Sequence, residues 1–294
     1  MSNGVISQPR MGRLTQGTIF CGACADGYGV SPVWGLIITA RCDTAHDKVV
    51  VVNYLPVVRV EDWLRRHGGL LILEKLQQEL RAKFVGLLKK KSLSDSLLEV
   101  YAPSDIAADY FPALNREPVN NKERADESDR QKALAISQEL SAVTMALRQS
   151  PLEIPYTDSL LAGKTTITQS ILAELLGHKL SGYYYLSSIG ELTENTSLHG
   201  YVVVLREVRT IYRETARLIV EGVSKDKIDP SKAYSGVSFD VFDFVYPVAE
   251  LRSPWVEHLL QVFCTMFGRI GVEDADRSKA LTIAESVFSL KETA

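Results

Sequence analysis

Three cysteines and one histidine, Cys21, Cys24, Cys42 and His46, fall within 26 residues in the order C-x₂-C…C-x₃-H. Three thiolates and a neutral imidazole make the donor set of a tetrahedral structural zinc site, and Gly22, Ala23 and Gly27 permit the tight turn that brings two thiolates together. Two other readings share these residues. If residues 18–24 run as one straight strand, Cys21 and Cys24 project to opposite faces, and the thiols are small hydrophobes packed in β structure. Alternatively, Cys42 is a nucleophile with His46 as its base and Asp43 or Asp47 as the orienting carboxylate. The two aspartates also suit a turn between strands, where they bond backbone amides.

Other chemistry is less complete. The run AGKTT (162–166) invites comparison with a phosphate loop, but Asp158 stands where that loop requires its first glycine, and no strand leads into it. Nucleotide binding there is not expected. Arg206, Arg209, Arg213 and Arg217 fall at helical spacings and form a basic stripe if their segment is helical throughout. Such a stripe is a candidate nucleic-acid contact, with Glu207 and Glu214 arguing for a salt-bridged solvated face instead.

These residues must be positioned by a chain of 294 residues, long enough for two compact units. Its hydrophobic fraction of 46% and charged fraction of 23% belong to a globular protein, and a net charge of −3 supplies no global field for a polyanion. The polar N-terminus lacks a signal-peptide core and no run of about 18 apolar residues occurs. This predicts a cytoplasmic chain that does not span a membrane.

From Gly17 to Val58, GTIF, VWGLIIT and VVVVNYLPVV alternate with turn signals and read as strands. LIIT and VVVV lack polar alternation, so both faces of these strands are expected to be covered. The period changes at Glu61: one helix up to Gly68-Gly69, then a second with Leu73, Leu76, Leu80, Phe84, Leu87 and Leu88 on one stripe and Lys89, Lys90 and Lys91 at its negative end. Residues 103–129 are too polar to bury a face and read as a charged loop. A helix follows from about Ser128, able to pair with the 70–90 helix. Beyond 150, SGYYYLSSI and GYVVVL read as a β-hairpin, Ser253-Pro254 as a helix start, and 275–290 as a last helix.

The order QGTIF, a Gly-containing loop, WGLIIT and KVVVVNYLPV resembles the opening of the SH3-like barrels of MazF and PemK type toxins, over about a fifth of the chain. In that family an arginine before the strand and a Ser or Thr at its end are associated with RNA cleavage. Thr39 matches the latter; Val33 holds the arginine position, beside Trp34, and Arg41 lies beyond Thr39.

The expectation is an α+β protein: an SH3-like barrel or curled sheet over 1–60, a helical segment over 61–150 carrying the 103–129 loop, and an α+β unit over 151–294 with a β-hairpin and closing helices. The resemblance implies a cytoplasmic interaction or regulatory component of a bacterial toxin or phage-defence module, with a protein partner. An RNA-cleaving enzyme using Thr39 and Arg41 is the alternative, and a zinc-stabilised module is compatible with either.

Overall fold

The computed structural model describes residues 4–10, 12–45, 49–114, 116–148, 161–190, 197–227 and 236–267. The expected helix at 275–290 lies outside them. The main sheet is built from β1 (Ile6–Ser7), β2 (Thr18–Cys21), β3 (Val33–Ile37), β4 (Val51–Arg59), β5 (Tyr183–Leu186), β6 (Tyr201–Val204) and β7 (Arg209–Tyr212). A short pair, β8 (Val223–Ser224) and β9 (Phe244–Val245), precedes β10 (Pro247–Leu251), which returns to the main sheet. The strand order is β1-β10-β2-β3-β4-β6-β5, every pairing is antiparallel, and β7 also pairs with β4. The result is a curled half-barrel in which strands from both ends of the chain share one sheet. The expected hairpin is present, with Tyr183 opposite Val204 and Leu186 opposite Tyr201.

The LIIT run is covered on both sides, with Leu36 and Ile37 buried in different cores; the VVVV run is not, since Val50 is 66% and Val51 37% exposed, and β4 is covered on both faces only further along. Along β2, Phe20 joins one core while Ile19 and Cys21 join the other; along β4, Val52, Tyr54 and Val58 face the first, and Leu55 and Val57 the second. Helices pack on the first face through Trp63, Ile72, Leu76 and Ile219, and the Trp255–Phe267 helix closes the second through Val256 and Leu259. β4 carries Pro56 in its interior, a residue that cannot donate to a ladder. It sits where the edge of β4 leaves β7, paired at 51–54, and takes up β6, paired at 57–59.

The helical segment leaves the sheet without a loop. β4 ends at Arg59 and helix begins at Val60, whose amide donates to the Gly200 carbonyl at 3.0 Å. Gly68 and Gly69 do not interrupt it: residues 64–68 form a π-helical turn that leads directly into the Gly69–Lys90 helix. The antiparallel Asn121–Arg148 helix completes an arm, and its Gln77–Thr144 contact and the ion pairs Lys90–Asp129 (2.9 Å) and Lys91–Asp126 (2.6 Å) cross between the two. The charged loop expected over 103–129 is largely helix: Pro103–Tyr110 is one, and the long helix already starts at Asn121. Its polar first turns are held by ion pairs and not by burial. Phe84, Leu88, Ile106, Phe111 and Ala133 form a separate small core at the arm's tip.

Gly35 sits opposite Pro56 on β3, beneath an edge-on Phe20–Tyr54 ring pair with centroids 5.3 Å apart. A Cβ there would lie 2.3 Å from the Phe20 ring and 3.0 Å from Tyr54. Gly35→Ala is therefore expected to lower stability by about 1–3 kcal/mol, the usual cost of overpacking a filled core. Urea unfolding measures this; an unchanged midpoint would mean that Phe20 does not cover the glycine.

Candidate functional site

The cysteine cluster is dispersed into different environments. Cys21 is buried on β2, its thiol donating to the carbonyls of Phe244 (3.3 Å) and Tyr246 (3.5 Å). Cys24 is half-buried; its amide donates to the Tyr54 hydroxyl at 3.1 Å, and burial raises its thiol pKa, the reverse of what a nucleophile or ligand needs. Cys42 is exposed on the short Arg41–Ala45 helix, where the polar turn was expected. His46 and Asp47 lie outside the described residues. Among the described residues, no three His, Cys, Asp or Glu side chains are grouped as a metal site requires.

Thr39 and Arg41 follow β3. The Thr39 hydroxyl accepts the Asn53 amide at 2.7 Å, fixing the chain as it leaves the sheet, and Arg41 is exposed. The arginine stripe does not form, because the segment is not helical throughout. Arg206 lies in the turn after β6 and donates to the Ser181 carbonyl at 3.3 Å. Arg209 opens β7, pairs with Glu207 at 2.7 Å and also contacts Asp26. Only Arg213 and Arg217 share a helix, Arg213–Glu221. Lys164 of the AGKTT run pairs with Glu139 of the arm, where it joins two helices and holds no phosphate loop.

Two histidine clusters are built into the body. Tyr28 and His67 share a hydrogen bond of 2.8 Å, with the Arg66 guanidinium 5.9 Å from the Tyr28 ring centre. Burial lowers the His67 pKa, and the charges of Arg66 and Arg206 lower it further. His178 stacks on Tyr184 with centroids 4.1 Å apart, and the Tyr184 hydroxyl meets His258 at 2.9 Å. Burial and then His258 lower the His178 pKa, while burial pushes Tyr184 up to about 12.

The feature best suited to receive a ligand lies on the arm. Gln78 and Arg81 project from the first arm helix and Thr144, Met145 and Arg148 from the second. The segment 98–103 crosses above them, and together they enclose a cavity of about 510 Å³ with buried Leu140 in its wall. Positions 141, 144, 145 and 148 share a helix face at three-four spacing. Val100 is 75% exposed, Tyr101 55% and Met145 60%, so three large apolar groups at one cavity are left to water. Single exposed hydrophobes are ordinary, whereas several around one hollow mark a surface that loses free energy until it is covered. Arg81 and Arg148 outnumber Glu99 on its rim. The sequence reading missed this groove: it identified the stripe buried between the arm helices, but not the face exposed beside it.

No family model matches the chain, and no curated protein or solved structure matches it either. Among the described residues, no helix is long and apolar enough to cross a membrane.

The unfolded chain carries the ordinary histidine pKa of about 6.5, above that of folded His67 and His178. On acidification below that value the unfolded state binds protons first, so the contribution of the neutral rings is full above about pH 7 and is lost as pH falls below about 6.5. The urea midpoint is expected to drop between pH 7 and pH 5, and the drop to shrink in a His67→Gln, His178→Gln variant. An equal drop in that variant would assign the acid sensitivity to other groups.

Proposed function

We propose that this protein is a protein-interaction component whose arm groove receives an amphipathic segment of a second protein, with acidic residues flanking its apolar face. The observation that carries this reading is the exposure of Val100, Tyr101 and Met145 around one cavity. A groove walled by two helices suits an amphipathic helix read at three-four spacing, and the excess of arginine on the rim favours an acidic flank. The wall from Ser141 to Arg148 offers about 10 Å, close to two helical turns. The resemblance of the first sixty residues to MazF and PemK barrels is the support for a toxin or phage-defence context.

The RNA-cleaving alternative has less behind it. The Thr39 hydroxyl is engaged with Asn53 on a fold-closing contact, and Arg41 stands exposed on its short helix. The zinc-stabilised alternative rests on a cysteine set whose fourth member is His46, outside the described residues.

A photo-crosslinking residue placed at position 145 should capture an acidic amphipathic segment of one other protein, identified by peptide mass spectrometry. The same residue at Val30, 95% exposed in the loop between β2 and β3, should not capture it. Val100→Lys with Met145→Lys should weaken the isolated complex at least about tenfold, or about 1.4 kcal/mol. As surface substitutions they should leave stability within about 0.5 kcal/mol. Crosslinks only to a second copy of this chain, or a basic or uncharged captured segment, would overturn the reading.

A further inference from the structure

A second cavity, of about 380 Å³, lies where the Arg213–Glu221 helix faces Gly12–Leu14 and the Arg41–Ala45 helix at Asp43 and Thr44. The helix meets it along one face: residues 213, 216, 217, 220 and 221 line it, while Thr215 and Ile219 are buried on the other side. Its start is fixed to the sheet, since the Arg213 amide donates to the Val50 carbonyl at 2.9 Å. Arg13, Arg213 and Arg217 thus come from two separate parts of the chain to one hollow. The arginine spacing noted in the sequence acquires a use here for two of its four members, joined by an arginine that the sequence did not single out.

The lining is of three kinds. Three guanidiniums are concentrated on one small cavity, and their planar donors match phosphate oxygens bidentately. Leu14, Val49, Val52, Ala216 and Val220 give an apolar wall. Asp43 and Glu221 add two carboxylates, which accept hydrogen bonds and repel a bare anion. An inorganic phosphate would engage only the arginines. A ligand that joins a phosphate to a hydroxyl-bearing ring and a flat apolar ring satisfies all three, and the volume falls within the range of about 300–1,000 Å³ common to small-molecule sites.

We propose that this cavity binds a nucleotide, with its phosphate on Arg13, Arg213 and Arg217, its ribose hydroxyls donating to Asp43 or Glu221, and its base against the Val52–Val220 wall. The site is separate from the arm groove and does not depend on it. No bond is made or broken in this step; the site is one of binding.

Isothermal titration of the full chain with AMP, inorganic phosphate and a short single-stranded RNA tests it. AMP should bind, inorganic phosphate should bind at least tenfold more weakly, and Arg13→Ala with Arg217→Ala should weaken AMP at least tenfold. Both side chains are exposed, so the thermal midpoint should hold. If the double variant unfolds, Arg13→Ala alone, outside any helix or strand, should still weaken AMP severalfold. Absence of AMP binding at millimolar concentration, phosphate binding as tightly as AMP, or unaltered AMP binding by folded variants would each overturn the proposal. So would RNA binding more than tenfold tighter than AMP through the same arginines, which would make the cavity a nucleic-acid contact.

Discussion

Strand β4 is asked to satisfy three partners at once, and the rest of the molecule follows from how it does so. One edge pairs with β3 along residues 54–58; the other is taken by β7 over 51–54 and by β6 over 57–59. A strand that changes partner mid-course needs a position where the ladder lapses, and Pro56 occupies it. Because β6 and β7 occupy successive stretches of the same edge, the chain between them turns at 205–208, and the sheet curls instead of extending flat. Both ends of β4 then fix a helix: the Val50 carbonyl receives the start of the 213–221 helix, and the Val60 amide, held by Gly200, launches the arm. The two candidate ligand surfaces are therefore referred to opposite ends of one strand.

Covering both faces of that sheet puts polar groups under apolar layers, and several of them are given partners there. The Tyr54 hydroxyl donates to the Gly236 carbonyl at 2.8 Å and receives the Cys24 amide, so a buried phenol ties two loops across the end of the sheet. Glu250, 4% exposed in β10, is met by Arg10 at 3.1 Å. A carboxylate so placed is costly without its cation, so the pair restrains the segment after β1 as well as neutralising the charge. Cys21 is bonded to the carbonyls of Phe244 in β9 and of Tyr246 just after it, which anchors the thiol in the core.

What the sequence made legible was whatever local periodicity decides. The apolar LIIT run meant two covered faces, and Leu36 and Ile37 enter different cores, whereas the VVVV run leaves Val50 and Val51 exposed at the start of β4. The start of the second arm helix was misread because composition was weighed over capping. The Asn120 side chain accepts the Glu123 amide at 2.8 Å and donates to the Glu123 carboxylate, which also pairs with Arg116. Asn-x-x-Glu was a helix-start signal within the charged stretch. The arginine spacing failed for the opposite reason: helical period was read through a turn and a strand whose Arg-Thr-Ile-Tyr alternation buries only Ile211. Neither cavity was legible, because each joins positions far apart in the chain, such as Gln78 with Met145 and Arg13 with Arg217, which only β4 and the arm packing bring together.

The arm's construction bears on why its groove suits binding. Leu76 and Leu80 of the first helix anchor in the core shared with the sheet, whereas Phe84, Leu87 and Leu88 anchor in the tip core. The same helix is thus pinned on both sides of Arg81, and the second helix is pinned opposite it by Leu140 and Val143 inward and by Ala133 toward the tip. Lys90 and Lys91 lock the tip through Asp129 and Asp126, and Gln77 bonds Thr144 beside the hollow itself. On the proposed reading, walls held this way would have little freedom left to lose to a partner, so a larger share of the apolar burial at Val100, Tyr101 and Met145 would remain as affinity. An exposed apolar groove with mobile walls would close on itself; one held open by two separate cores stays open, which is what the proposed docking of a second chain requires.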